Sequence, residues 1–257
     1  MKAIWSGSIS FGLINIPVKL YSARERKRID LDMLDKHDYA RIRYKRVNEN
    51  TGKEVDWDNI VKGYKIDGEY VILNDEDFDK AEKGRSNNIK IDEFVDEKEI
   101  PDIYFEKPYY LEPDKSSQRS YALLIKAMKE AGKAGVLKFV LRNREHLAII
   151  KPKDDVIVLN QLRFENEIRS TEELDLSFED DDIDDEEIDI AISLIEKYEK
   201  EFDIADYYDT YTQDLMAIIE AKAEGKEVEK PAESEEKEAT QSKDLMAKLK
   251  KSLKEAS

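Results

Sequence analysis

Near the start of the chain, apolar and polar positions alternate. Ile9, Phe11 and Leu13 share one phase and Ile14, Ile16 and Val18 the opposite one, which predicts a buried strand carrying a bulge near Leu13. Further short β-branched or aromatic runs follow at 42–47, 70–73, 89–95, 136–141, 147–150 and 156–159, separated by Gly, Asn, Asp and Lys turns. One helix interrupts them: Ser116 and Ser117 offer caps, Tyr121, Leu124, Ile125 and Met128 share a face, and Gly132 and Gly135 end it. Beyond the acidic run 179–189 the period becomes helical. Ile188, Ile192, Ile195, Tyr198 and Phe202 form one stripe, and Tyr208, Tyr211, Leu215 and Ile218 form a second that runs until Gly225.

The pattern predicts a mainly β core followed by an α-helical arm, α+β overall, with the core over 1–180 and the arm over 181–225. Residues 226–243 are rich in Glu and hold one aliphatic residue larger than Ala, which is the composition of a linker. A short amphipathic helix is predicted over 244–257, with Leu245, Met246, Leu249 and Leu253 as an apolar stripe among lysines. A stripe that small does not fold in isolation, so it reads as a docking element for a partner protein.

Composition removes several chemistries. The 257 residues include no cysteine and two histidines, so thiol catalysis, disulfide frameworks, zinc ribbons and three-histidine metal sites are out of reach. The uncharged stretch 3–18 is too short and polar to span a membrane, and it lacks the Leu-rich core and cleavage site of a secretion signal. The expectation is a cytoplasmic protein without a membrane partner.

Charge is distributed unevenly. The net charge is −17, yet residues 1–50 carry +5 and 115–153 carry +8, against −10 over 51–114 and −20 over 154–230. Screening acts over about 8 Å at physiological salt, so distant acid leaves a local basic stripe effective. In the second block only Glu130 and Glu145 oppose eight lysines and arginines from Lys126 to Lys153. Phosphates are the complement of such a surface, and with no recognition helix or zinc finger present the expected contact is to backbone rather than bases. The candidate residues are Arg41, Arg43, Lys45, Arg46, Lys133, Lys138, Arg142 and Arg144.

Catalytic patterns fail on spacing. Gly7 and Gly12 stand one residue too far apart for a nucleophile elbow, Gly132-Lys133 lacks the first glycine and the Ser/Thr of a phosphate loop, and the acidic run from Asp180 lacks the turn glycine and final Glu of a calcium loop. His37 and His146 have no evident triad partners. Asp102 and Glu106 leave open an alternative, a metal-dependent nuclease or hydrolase; a protein-only scaffold using the tail helix is another.

Several collinear blocks carry more. Met1-Lys-Ala-Ile-Trp-Ser-Gly-Ser-Ile-Ser-Phe-Gly-Leu-Ile-Asn-Ile-Pro-Val-Lys-Leu-Tyr-Ser-Ala23, Arg41-Ile-Arg-Tyr-Lys-Arg-Val47, Asp58-Asn-Ile-Val-Lys-Gly-Tyr64, Tyr104-Phe-Glu-Lys-Pro-Tyr-Tyr-Leu111 and Lys138-Phe-Val-Leu-Arg-Asn-Arg-Glu-His-Leu147 occur in this order. Over residues 1 to about 225 the chain resembles the bacterial Ku family of non-homologous end joining. The resemblance implies a Ku-type β-barrel with an inserted bridge segment, forming as a homodimer a ring around the end of a DNA duplex and recruiting an ATP-dependent end-joining ligase. It implies no catalytic residue, metal or cofactor, and a place at the bacterial nucleoid. Family members often carry Cys-x-x-Cys after the Arg41–Val47 block; here those positions are Asn48 and Thr51, so a metal staple is not expected. The tail also lacks the long Lys-rich extension of some relatives, and DNA binding should depend less on it.

Overall fold

The computed structural model describes residues 1–25, 29–82, 88–142, 144–176, 183–226 and 242–255. The chain divides into two compact units, residues 1–27 with 32–170, and residues 28–31 with 171–257.

The first unit opens with β1 (Trp5–Phe11) and β2 (Ile14–Ser22), an antiparallel hairpin in which Phe11 faces Ile14. The phase switch read as a bulge is therefore a chain reversal. Gly12 takes φ +56° in the two-residue turn, a conformation that glycine adopts without steric cost. After an extended segment come the hairpin of β3 (Lys62–Ile66) and β4 (Glu69–Leu73) and the short α1 (Asp75–Glu82). Then follow β5 (Asn88–Val95), β6 (Phe105–Pro113), α2 (Gln118–Ala131), β7 (Ala134–Leu141), β8 (Arg144–Lys153) and β9 (Val156–Leu162).

Seven of these strands close a barrel in the order β1, β2, β6, β9, β8, β7, β5. All neighbours are antiparallel except β1 and β5, whose parallel pairing at Ser8–Asn88, Ile9–Ile89 and Ser10–Lys90 joins the sheet's two ends. Closure removes the unpaired edges that an open sheet presents to other chains. Inward alternation fills the interior with Ile9, Ile16, Leu20, Ile89, Leu111, Leu137, Ile150, Ile157 and Leu159, all essentially inaccessible to water. Helix α2 adds Tyr121, Leu124, Ile125 and Met128 to the same cluster, as its apolar face predicts, and Gly132 ends it in the left-handed conformation at φ +63°. A second, smaller cluster lies on the other side of the sheet, where Ala134, Ile149 and Leu162 pack with Tyr104 and Phe105.

The second unit holds α3 (Asp185–Tyr198), α4 (Thr210–Ala223) and α5 (Ser242–Glu255). Asp209 caps α4 by accepting from the Thr212 backbone N–H at 3.0 Å. The tail helix packs on α3: Lys250 pairs with Glu186 at 3.0 Å, and the Lys197 ammonium donates to the Leu253 carbonyl at 2.8 Å. Most of the expected linker, residues 227–241, lies outside the described residues, as do residues 177–182, which include the start of the acidic run at 179–182.

Candidate nucleic-acid interface

Arg41, Arg43, Lys45 and Arg46 all lie on the extended segment between β2 and β3. The alternation at 42–47 does not produce a strand. Pairing is limited to isolated bridges between Leu34 and Arg41 and between Val47 and Glu54, and among the described residues no strand lies alongside to complete a ladder. The whole stretch 38–54 is exposed, Ile42 and Tyr44 included.

The four cations differ in what already holds them. Arg41 pairs with Asp32 at 2.5 Å and Lys45 with Glu54 at 2.6 Å. The Arg46 guanidinium lies 4.5 Å over the Trp57 ring, and it has no ion-pair partner among the described residues. Arg43 has no ion-pair partner among the described residues. Next to them, Asn48 closes the loop that follows. Its side-chain oxygen accepts from the backbone N–H groups of Asn50 and Thr51, both at 3.0 Å, and its carbonyl accepts from Gly52 at 2.8 Å. The loop is thus stapled by an Asx turn.

The second basic block is divided by the fold. Lys133, between α2 and β7, pairs with Asp96 at 2.9 Å, and Lys151 pairs with Glu97. These half-exposed pairs cross from acidic 96–97 to the basic block, so the block is partly neutralised by residues distant in sequence. Lys138 points outward from β7 beside Lys90, Asp92 and Glu145.

Arg142 and Arg144 have a different setting. They flank the β7–β8 turn at one end of the barrel, where the fold brings them to Arg24, after β2, and to Lys107, on β6. Sequence reading missed Arg24 and Lys107, since no spacing relates positions 24, 107 and 142. Together these four cations border a cavity of about 370 Å³ whose lining, among the described residues, contains no carboxylate. Arg24, Arg142 and Arg144 have no ion-pair partner among the described residues. Arg142 adopts φ +54°, a left-handed conformation unusual for a residue with a long side chain.

Beneath the rim lies a polar network. Gln161, on β9, is 4% exposed. Its carbonyl oxygen accepts from the Tyr109 hydroxyl at 3.3 Å, and its amide nitrogen contacts Glu106 at 2.7 Å and His146 Nδ1 at 3.0 Å. The Glu106 carboxyl is held below its ordinary range first by its hydrogen bond to Lys107, 2.5 Å away, and further by the charges of Lys107, Arg163 and His146. Glu106 is therefore a structural anion with its acceptors engaged. Asp102 lines a separate cleft with Asp96 and Glu97, so the two carboxylates weighed as a nuclease pair are not brought into one site. Among the described residues no group of three His, Asp or Glu side chains is arranged to hold a metal ion, and no helix is long and apolar enough to cross a membrane.

In the tail, Met246, Leu249 and Leu253 are partly covered, while Leu245 is exposed. On α3, Ile190 and Leu194 are partly covered too, whereas Ile188, Ile192, Ile195 and Tyr198, the stripe read from the sequence, are exposed, as are Phe202, Tyr207, Tyr208 and Tyr211.

Residues 10–190 match the family model described as the Ku70/Ku80 beta-barrel domain. The chain is similar to a non-homologous end joining protein Ku of Cupriavidus necator, 42% identical over 98% of this chain and 77% of the relative. It is 43% identical to the protein of that name from Archaeoglobus fulgidus, over 89% of this chain and 90% of the relative. The counterpart from Bacillus subtilis is 37% identical, over 88% and 74%.

Proposed function

The chain belongs to the Ku family, and on that premise we propose that it binds the ends of double-stranded DNA as a homodimeric ring in non-homologous end joining, independently of base sequence. The observation that carries this reading is the stretch 32–73, the extended segment together with the β3–β4 hairpin. It leaves Tyr39, Ile42, Tyr44, Trp57, Val61, Tyr64 and Tyr70 exposed, together with the cations Arg43 and Arg46, which have no ion-pair partner among the described residues. So much exposed apolar surface marks a protein interface, and the cations beside it suit a polyanion. A second copy covers the first feature and a duplex satisfies the second.

Symmetry supports the pairing. A duplex has local twofold axes, so two half-rings related by a twofold present one set of cations to both backbones. A closed ring needs no base contact and loads only where the duplex has an end. The exposed α3 stripe and the tyrosines of 207–211 offer further apolar area to a core or partner protomer. The cations of the backbone stripe in this reading are Arg41, Arg43, Lys45, Arg46, Lys133, Lys138, Arg142 and Arg144; those already paired exchange a carboxylate for a phosphate on binding. The tail stripe Leu245, Met246, Leu249 and Leu253 recruits the ATP-dependent ligase. The protein itself performs no catalysis, and it works in the cytoplasm, at the nucleoid.

The test compares mobility shifts of a linear duplex and the same duplex closed into a circle, across a salt series, with the mass in solution measured by light scattering. A dimer that shifts only the linear form is expected, with log affinity falling by roughly 0.9 per contacted phosphate against log salt. A monomer, or equal binding to the circle, overturns the ring.

A further inference from the structure

We propose that the arginine-rimmed mouth of the barrel is a phosphate pocket that takes the terminal phosphate monoester of a DNA end. This rests on the DNA-end reading above and refines it at Arg142 and Arg144, which it moves from the backbone stripe to a site that grips the terminus itself. Topology confines a ring to linear DNA but does not hold it at the break; a pocket for the terminal group does.

Three features of the mouth select this ligand. First, Arg24, Arg142 and Arg144 converge on a cavity of about 370 Å³, and none of the three has an ion-pair partner among the described residues; the nearby Glu106 carboxylate is engaged by Lys107 and Gln161. Guanidinium groups present paired donors in a fixed fork that matches phosphate oxygens. Second, the floor supplies a fixed polar ring. Gln161 holds Glu106 at 2.7 Å and contacts His146 Nδ1 at 3.0 Å. The His146 side chain lines the cavity, and its Nε2 lies outside that contact. The ring is steadied by Phe139, with centroids 5.4 Å apart. Third, Arg142 sits at φ +54° in a tight turn, where glycine or asparagine is usual. A left-handed residue that carries a binding side chain is a recurrent feature of ligand clamps.

A monoester fits these features better than a backbone diester. It brings close to two negative charges at neutral pH and three free oxygens, and it enters a concave pocket end-on. A diester carries one charge and is flanked by two sugars, so it lies across such a mouth.

The experiment measures anisotropy of one short blunt duplex, just long enough for a single dimer, with 5′-phosphate or 5′-hydroxyl ends. Wild type, the double variant R142Q/R144Q, and R24Q, which lies outside the strands, are compared, with thermal melts confirming folding. Wild type is expected to prefer the phosphorylated duplex roughly tenfold, the effect of a charge-assisted hydrogen-bond set, and each variant is expected to lose most of that preference. Equal wild-type affinity for the two duplexes overturns the pocket while leaving the DNA-end reading standing. If the variants lose affinity equally for both duplexes, the rim contacts backbone diesters and the terminal assignment fails. A preference that survives in both variants places the phosphate elsewhere. No binding to either duplex overturns the end-binding reading itself.

Discussion

The Tyr121 hydroxyl, on α2, donates to the Leu111 carbonyl of β6 at 2.5 Å. The same oxygen accepts from the Ile157 backbone N–H of β9 at 2.7 Å, so one phenol ties the helix to two neighbouring strands. Tyr121→Phe keeps the ring packing but leaves two buried backbone groups without that partner, and the expected loss is roughly 1–3 kcal/mol in urea unfolding. Burial pushes the Tyr121 phenol up to about 12, partly opposed by the Ile157 hydrogen bond. The unfolded phenol titrates near 10. The contribution is therefore complete below about pH 10 and is lost as pH rises towards 12. Tyr121→Phe should show a shallower decline across that window.

Gly135 offers a test of barrel packing. A Cβ there would lie 3.1 Å from Ile91, 3.2 Å from Ile150 and 3.3 Å from Phe94. Those side chains belong to β5 and β8 on either side of β7; Ile91 and Ile150 are buried, while Phe94 is exposed and can shift. Gly135→Ala should cost roughly 1–3 kcal/mol, read as a lower denaturant midpoint with an unchanged slope.

Charge reversal of Arg142 and Arg144 to Glu should weaken binding to every linear sequence alike and leave the melting temperature near that of wild type. Both residues are exposed at a turn and pair with no described residue, so the fold loses little. Unchanged affinity in a salt-controlled shift assay removes both from the interface.

Asn48→Ala should loosen the loop that Asn48 closes, because two backbone N–H groups lose their acceptor. Faster amide exchange at Asn50 and Thr51, with no change in the exchange of barrel strands, is the expected signature.

Removing residues 242–257 takes away the tail helix together with its contacts to Glu186 and Lys197. DNA affinity should be retained within about twofold, since surface changes away from a site usually move energies by less than ~0.5 kcal/mol, whereas co-purification of the ligase should be lost. Retained ligase binding assigns recruitment to another surface.

Much of the barrel was legible because buried strands leave β-branched runs in the sequence, as at 89–95, 136–141 and 156–159. Helix α2 was legible in detail: the face of Tyr121, Leu124, Ile125 and Met128 is the one buried. Strand β6 escaped notice, with Pro108 and Pro113 interrupting its pattern. A hairpin turn and a bulge both switch alternation, so Gly12-Leu13 was ambiguous until the pairing of Phe11 with Ile14 was known. The alternation at 42–47 misled for a related reason, since a strand needs a neighbour and this segment has only isolated bridges. At the interface, residue types were readable but partnerships were not. Barrel closure alone brings Arg24 and Lys107 to Arg142, and only the fold places Asp96 against Lys133.

The parallel seam between β1 and β5 has a consequence for biogenesis. The β1–β2 hairpin, synthesised before the other barrel strands, must wait for β5 on one flank and for β6 on the other, and β9 must emerge before the cylinder can shut. Until then its apolar face is available to any passing polypeptide, and such distant pairings form slowly. Nascent chains halted before Leu162 should therefore be clients of holding chaperones, and slower translation through 114–162 should lengthen that dependence.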